Sequence, residues 1–223
     1  MGRKVKISKV DGGSKRPPGR PRCERARRAI LSSTLRFLER KENGFADLTI
    51  EHVAEEAGVG KATVYRWWST KAALVADAFT SSVTQKLRFP DTGSVSADMS
   101  QQMRQLVKIL RSRRGHILSV ILGAGQSDCI LMDAFRERFL KPRRAEAYAT
   151  LRRGILRGEL PSDLNLDFTL DALYGPIYLR FLVWRQELTP EFVDQLCRLV
   201  LERAGLCNRT DEVPSQAESP VGV

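Results

Sequence analysis

The sequence predicts an all-α protein with an N-terminal three-helix helix-turn-helix domain and a C-terminal helical domain. Apolar residues recur at helical spacing in successive segments from about residue 22 to residue 207. The second half of the chain shows no two-residue alternation of the kind that predicts strands. With 223 residues and 42% hydrophobic content, the chain can bury one sizeable core or two small ones.

The chain opens with a basic segment that is too poor in apolar residues to fold alone. Residues 1–21 are rich in Gly, Pro, Lys and Arg, which predicts a disordered basic arm. Residues 1–28 hold eleven Lys and Arg against two acidic residues, so +9 of the formal charge of +11 lies there. Such a block favours the phosphate backbone of a nucleic acid as its partner.

A short motif in this arm indicates one possible mode of DNA binding. Residues 15–22 read KRPPGRPR, and the Gly19-Arg20-Pro21 core resembles an AT-hook, which lays arginines in a narrow A·T-rich minor groove. Pro18 stands where the AT-hook has arginine. The alternative is therefore a solvated basic tail that adds affinity for DNA without preference for A·T.

The first helix is predicted from about Arg22 to Lys41. Arginines in its first turns, among them Arg27, oppose the helix dipole, a cost that a phosphate partner would offset. Asn43-Gly44 supplies a stop signal. The predicted inner face consists of Ala26, Ile30, Thr34, Phe37 and Leu38.

The segment 49–74, TIEHVAEEAGVGKATVYRWWSTKAAL, predicts two short helices joined by a tight turn and the start of a third. Ala54, Gly58 and Val64 have the spacing at which two helices cross closely, with the glycine at positive φ in the turn. This is the pattern of a helix-turn-helix, whose second helix enters the DNA major groove. The predicted helices are 50–57, capped by Thr49; 61–67, the recognition helix; and 71–88, capped by Thr70.

The recognition helix is predicted to present one face to DNA. Val64 and Trp68, four residues apart, should point inward. Tyr65 and Trp67 flank the outer face with O–H and N–H donors that suit phosphate oxygens, and core packing is the alternative for such aromatic side chains. The side chains left outward, which suit base edges, are Lys61, Ala62, Thr63 and Arg66.

These residues resemble the TetR/AcrR family of transcriptional regulators. The family fingerprint runs Gly-Val-Ser, Thr, Tyr, an aromatic pair, Ser/Thr-Lys and Leu. This chain departs from it at Gly60, which replaces a Ser or Thr and removes a helix cap. The resemblance implies contacts with the DNA backbone from Thr49, Tyr65, Trp67 and Lys71. The matching positions are Gly58-Val59-Gly60, Thr63, Tyr65, Trp67-Trp68, Thr70-Lys71 and Leu74. The candidate DNA-binding residues are Arg20, Arg22, Arg27, Thr49, Lys61, Ala62, Thr63, Tyr65, Arg66, Trp67 and Lys71.

A turn-rich segment, FPDTGSVSA at 89–97, marks the predicted domain boundary. It separates a helix-turn-helix DNA-binding domain at 22–88 from a helical regulatory and dimerisation domain at 89–207. Residues 208–223 are polar and are predicted to form a disordered tail. The approximate helices of the second domain are 98–112, 116–124, 128–139, 142–158, 166–186 and 190–204.

The segment 166–186 predicts an interface with a second copy of the chain. Its apolar residues cover nearly every side of a helix, so it must be buried on more than one side. The last helix is amphipathic, and together the two suit a two-fold four-helix dimer interface. An internal hairpin of a monomer is the alternative. The candidate interface residues are Tyr174, Ile177, Tyr178, Phe181, Phe192, Leu196 and Leu199.

The resemblance also covers LYGPIYLRFL, LTPEFVDQLCRLVL and FRERFLKPRR, and so spans residues 22–205. It implies a homodimeric, sequence-specific DNA-binding regulator, usually a repressor, that binds a near-palindromic operator and is released by a small-molecule effector. A ligand-independent or architectural DNA-binding protein that uses the AT-hook-like arm is the alternative. The candidate ligand-binding residues are Met103, Leu106, Leu118, Phe135, Phe139, Tyr148, Tyr174 and Trp184.

Other classes of protein find little support in the sequence. It contains no Gly-rich phosphate loop, nucleophile elbow or zinc motif, so we expect no enzyme, cofactor or metal site. Four cysteines without a Cys-x-x-Cys pair predict free thiols, with redox sensing as the alternative. No apolar run approaches the ~20 residues of a membrane span, and the basic N-terminus lacks the apolar core of a signal peptide. We therefore expect a cytoplasmic protein with no membrane partner.

Overall fold

The chain is helical throughout the part that the structure describes. This computed structural model describes residues 20–40 and 44–202, and every regular element in them is a helix, which confirms the all-α fold class. The helices are α1 (Arg20–Arg40), α2 (Gly44–Asp47), α3 (Ile50–Glu56), α4 (Lys61–Trp67), α5 (Lys71–Val83), α6 (Val95–Leu110), α7 (Arg113–Ala124), α8 (Cys129–Phe135), α9 (Lys141–Leu156), α10 (Leu166–Tyr178) and α11 (Pro190–Cys197).

Several helices continue into turns with a different winding. A 3-10 turn at Thr84–Leu87 follows α5, and π-helical turns extend α10 to Trp184 and α11 to Glu202. Another π-helical turn, Arg136–Leu140, joins α8 to α9. The predicted break between residues 139 and 142 is therefore wrong, because a π turn accommodates an extra residue without interrupting the helix.

Helices α1–α5, which we call the head, pack around a shared apolar core. Helix α1 lies against α3, α4 and α5. Ile30 and Leu38 of α1 are fully buried, as is Val64 of α4, and Trp68 at the end of α4 is almost so. The inward direction predicted for Val64 and Trp68 is confirmed.

Local signals in the head act as the sequence predicts. The Thr49 hydroxyl caps α3 by accepting from the His52 N–H at 3.2 Å, and the Thr70 hydroxyl caps α5 by accepting from the Ala73 N–H at 3.0 Å. Gly58 has φ +65°, a conformation that favours glycine, and sits in the turn between α3 and α4. No side chain caps the N-terminus of α4, since Gly60 occupies the N-cap.

Two helix starts differ from the prediction. Helix α1 ends at Arg40, before the predicted stop at Asn43-Gly44, but Gly44 also begins the short α2, which the sequence does not predict and whose Phe45 is buried in the head. Helix α6 begins at Val95 instead of residue 98. The Ser94 hydroxyl caps it, and the Val95 N–H donates to Glu159 Oε2 at 2.6 Å, a partner 64 residues away that no local pattern reveals.

Helix α5 connects the head to the rest of the chain. It packs against α1 on one side and against α8 on the other. Phe79 of α5 meets Phe139 edge-on with ring centroids 5.1 Å apart, and it also lies 5.8 Å from Phe135. The Phe135 and Phe139 rings stack at 5.1 Å. These three rings, which we call the phenylalanine cluster, make one continuous core of the head and the C-terminal helices.

Within the described ranges, no helix is long and apolar enough to cross a bilayer. The same residues hold no group of three or more side chains suited to a metal ion. Cys129 is an exposed free thiol and Cys197 a buried one; the side chains of Cys23 and Cys207 lie outside the described part.

Two glycines of α7 provide a matched test of this packing. A Cβ at Gly115 would overlap the backbone carbonyl of Leu110, whereas a Cβ at Gly123 would meet nothing within 4 Å. We expect Gly115→Ala to lower the free energy of unfolding by about 1–3 kcal/mol through this overlap. Gly123→Ala should raise it by about 0.5–1 kcal/mol because alanine favours the helix. Urea denaturation of both variants measures the difference; equal effects would contradict the close approach of α6 and α7.

Candidate nucleic-acid interface

Helix α4 presents its outer face to solvent. Because Val64 and Trp68 anchor the inner face, Lys61, Ala62 and Arg66 are exposed, and the Tyr65 side chain is half exposed. Thr63 is partly buried at the edge. This seven-residue helix thus offers two cations, two hydroxyls and small apolar groups on one surface, a combination that suits base edges and phosphates.

The first helix of the pair supports this face. The Val59 N–H donates to the Ala54 carbonyl at 2.9 Å across the turn, and Ala54 is buried beneath α4. Thr49, at the start of α3, is exposed with its hydroxyl accepting from the His52 N–H. The candidate contacts Thr49, Lys61, Ala62 and Arg66 are therefore accessible to a duplex.

One cation of this face is already paired within the chain. Lys61 Nζ lies 2.8 Å from Glu51 Oε1, and both side chains are more than half exposed. The hydrogen bond from Lys61 lowers the pKa of the Glu51 carboxyl below its usual value, with a smaller effect from a backbone N–H. Glu51 therefore stays ionised at neutral pH and offsets the charge of Lys61 at this surface.

Arg27, a candidate phosphate contact, is paired within the chain. Its Nη2 lies 2.8 Å from Asp77 Oδ2, which also accepts a 3.0 Å hydrogen bond from Trp68 Nε1. The guanidinium lies over the rings of Trp67 and Trp68, at 5.8 and 5.9 Å from their centroids. Asp77 on α5 thus holds Arg27 at a joint between α1, α4 and α5, where its side chain is 29% exposed.

Trp67 and Lys71, also candidate phosphate contacts, face groups of the head in this structure. The Nε1 atom of Trp67 is buried without a partner among the described residues, so this chain conformation does not present that donor to phosphate. Lys71 Nζ donates to the carbonyl oxygens of Phe45 at 2.8 Å and Ala46 at 3.4 Å, and it lies over the Phe45 ring. Lys71 therefore holds α2 in place. The side chains of Arg20 and Arg22, and the AT-hook-like residues before them, lie outside the described part.

Comparison with known proteins identifies the family to which this helix-turn-helix chain belongs. Residues 30–78 match the model for bacterial regulatory proteins of the tetR family, and residues 89–200 match that for the tetracyclin repressor-like C-terminal domain. The uncharacterised HTH-type transcriptional regulator YdeS of Bacillus subtilis (strain 168) is 42% identical over 178 residues, covering 80% of this chain and 89% of YdeS. The chain belongs to the TetR family of transcriptional regulators.

Solved structures agree with this assignment. The TetR family transcription regulator SCO0332 is 35% identical, with a TM-score of 0.69, and the match covers 79% of this chain and 97% of that one. The flavonoid-responsive regulator FrrA shares the fold at 22% identity, with a TM-score of 0.59 and coverage of 83% and 95%. TetR-family regulators are non-enzymatic and bind DNA, so the chain is a DNA-binding transcriptional regulator.

The C-terminal domain of this TetR-family chain contains a cavity of about 470 Å³ between α6, α9 and α10. Of the eight candidate ligand-binding residues, Leu106, Phe139 and Tyr174 line it. The other five lie elsewhere. Met103, Leu118 and Phe135 are buried in the core. Tyr148 forms hydrogen bonds with Arg144 and Asp167 on the outside of α9. Trp184 is 64% exposed at the end of α10. The residues that line the cavity are Leu87, Phe89, Gln102, Leu106, Phe139, Leu140, Lys141, Arg143, Arg144, Ala147, Leu170, Asp171, Tyr174, Gly175 and Tyr178.

The candidate dimer residues divide in a similar way. Ile177 and Leu196 are buried within their own chain, while Tyr174 and Tyr178 line the cavity. Phe192 is partly covered by the Arg180 guanidinium, 3.9 Å from its ring centroid, and Phe181 is partly buried. Helical periodicity predicts that these residues lie on helices. Which of their side chains are exposed depends on how each helix is rotated about its axis. The exposed apolar side chains of these two helices include Leu179, Leu182, Val183, Trp184 and Leu199.

The pairing of Lys61 with Glu51 generates a test. Glu51→Gln removes a negative charge at the interface and frees Lys61, so DNA should bind several-fold more tightly and its affinity should fall more steeply with salt. Glu55→Gln, one turn further along α3, makes the same charge change and is the control. Fluorescence anisotropy with labelled duplex over a salt series gives both quantities. Equal gains in the two variants would mean that overall charge is responsible and that the Lys61–Glu51 pair is not.

Proposed function

We propose that the protein is a homodimeric repressor that binds a near-palindromic operator and is released by a small-molecule effector. The observation that carries the proposal is the exposed outer face of α4, with Lys61, Ala62, Tyr65 and Arg66 on a helix anchored from behind. A regulator of this kind must reach chromosomal DNA, so we propose that the protein is cytoplasmic.

Dimer formation is supported by the apolar surface at the end of α10. Val183 and Trp184 are each about two-thirds exposed, and Leu179, Leu182 and Leu199 are accessible beside them. Several large apolar side chains exposed close together in this way are typical of an interface with another protein. A two-fold partner would cover it and present two recognition helices, one to each half-site about one helical turn apart.

Release by an effector is supported by the cavity of the C-terminal domain. Its largely apolar wall and small number of polar groups are typical of a small-molecule site. FrrA, which shares the fold, is described as flavonoid-responsive. A molecule that binds one arrangement of the domain better than another would shift the population of DNA-binding dimers.

Selection of bound duplexes from a random pool tests the operator. The wild-type protein should enrich a near-palindrome. Lys61→Ala or Thr63→Ala should relax base preference, because these side chains face base edges. Lys71→Ala, which loosens α2, should weaken binding to all sequences alike. Enrichment of no motif, together with diffuse footprints, would favour an architectural DNA-binding protein instead.

A second test concerns the dimer. Val183→Glu places a charge on the apolar surface of α10 and should convert the dimer to a monomer, with loss of binding to the two-half-site duplex. Leu156→Glu changes an 87% exposed leucine at the end of α9 and should leave both properties unchanged. Sedimentation velocity and anisotropy report the two outcomes. A monomeric wild type, or a dimeric Val183→Glu, would contradict the proposed interface.

A further inference from the structure

The cavity between α6, α9 and α10 has a wall that restricts the chemistry of what it can hold. Apolar and aromatic side chains, among them Phe89, Leu106, Phe139 and Leu170, form most of its surface. Burial of apolar ligand atoms there removes them from water, and this drives binding. The few polar groups at the wall therefore decide what else the ligand can carry.

Arg143 lines the cavity, and its guanidinium is already paired with a carboxylate of the chain. Its Nη1 lies 2.8 Å from Glu146 Oε2, and its Nη2 donates to the Leu87 carbonyl. The guanidinium also lies over the Phe89 ring, 5.1 Å from the centroid. Burial lowers the pKa of Arg143. A ligand anion would have to compete with Glu146 and with the Leu87 carbonyl for this guanidinium.

The cations at the rim of the cavity are paired in the same way. Arg144 donates to Asp167 at 2.7 Å and to Asp171 at 2.9 Å, and Lys141 pairs with Glu137. The three basic side chains of the wall thus each have a carboxylate partner within the chain, although only one of these carboxylates, Asp171, itself lines the cavity. A ligand carboxylate would have to compete with these pairs.

Two uncharged polar groups remain inside. The Tyr174 hydroxyl donates to Gln102 Oε1 at 2.6 Å, which leaves the Gln102 side-chain amide N–H groups without a partner among the described residues. The Tyr178 hydroxyl also has no partner there, and burial raises the pKa of Tyr178 to about 12, so it keeps its proton at neutral pH. Neither group is completely enclosed by protein atoms. Both are donors that an acceptor in the cavity could satisfy.

We propose that the cavity binds an uncharged, mainly apolar molecule with one hydrogen-bond acceptor of the carbonyl type, held by Gln102 and Tyr178. An uncharged acceptor satisfies both donors without disturbing the ion pairs of Arg143 and Arg144. A carboxylate also accepts from both donors, but its charge competes with the carboxylates that already pair with these arginines. An ammonium group has no acceptor for either donor. This inference rests on the proposed effector role only in so far as the bound molecule should release the operator duplex. The chemistry of the site is tested on the free protein.

Three probes with the same ten-carbon chain test the charge requirement. Isothermal titration of the free protein at pH 7.5 compares 2-decanone, decanoate and decylamine, of which the last two are charged. We expect 2-decanone to bind at least about tenfold more tightly than either, since only it avoids an unpaired charge. Equal or tighter binding of decanoate, or binding of none of the three, would overturn the proposal.

Substitution tests the two donors. Gln102→Leu and Tyr178→Phe should each weaken binding of 2-decanone by about tenfold, the loss of one hydrogen bond from the cavity. Gln105→Leu is the control, because Gln105 lies on α6 outside the cavity, at a surface groove with Arg104 and Lys108. Thermal denaturation confirms that each variant folds. An equal loss in Gln105→Leu, or no loss in either cavity variant, would contradict the role of these donors.

The same probe then separates this inference from the proposed repressor function. 2-decanone added to the complex with the selected operator should release the duplex, as followed by anisotropy. If the ketone binds the free protein with the expected preference but leaves the duplex bound, the ligand chemistry stands and the effector role fails. If the duplex is released equally by decanoate, the ligand chemistry fails and the effector role stands.

Discussion

The carboxylate of Asp77 is the interaction on which the head depends. Its Oδ2 accepts from Arg27 of α1 and from Trp68 at the end of α4, while its own backbone belongs to α5. A hydrogen bond with a charged partner contributes about 1.5–3 kcal/mol. Asp77 Oδ2 therefore fixes the end of α4 relative to α1 and α5. The orientation of the exposed face of α4 depends on these two hydrogen bonds.

The sequence predicts those features whose causes lie within a few residues. The caps at Thr49 and Thr70 involve backbone N–H groups three residues away, and the positive φ of Gly58 is a property of a single turn. The inward direction of Val64 and Trp68 follows from helical spacing alone. The all-α class and the helix-turn-helix follow from the same signals, so they could be predicted without knowledge of tertiary contacts.

The remaining features depend on partners far apart in the chain. Lys71 meets the α2 carbonyls 25 and 26 residues away, and Arg27 meets Asp77 at a separation of 50. A basic side chain beside a recognition helix has the same sequence signature whether it faces phosphate or a carboxylate of its own chain. Which residues line the cavity likewise depends on the rotation of α6, α9 and α10 about their axes. Gln102 lines the cavity, whereas its neighbour Met103 is buried in the core.

The phenylalanine cluster gives the cavity and the head a common wall. Phe139 lines the cavity on one side and touches Phe79 of α5 on the other, and Asp77 lies two residues earlier on the same helix. Close-packed rings are nearly incompressible. Any molecule that displaces Phe139 must therefore either shift α5, and with it the anchorage of Trp68, or find room by rotating the ring in place. Under the proposed effector role, the volume of a bound molecule, and not only its polarity, would therefore affect the orientation of the head.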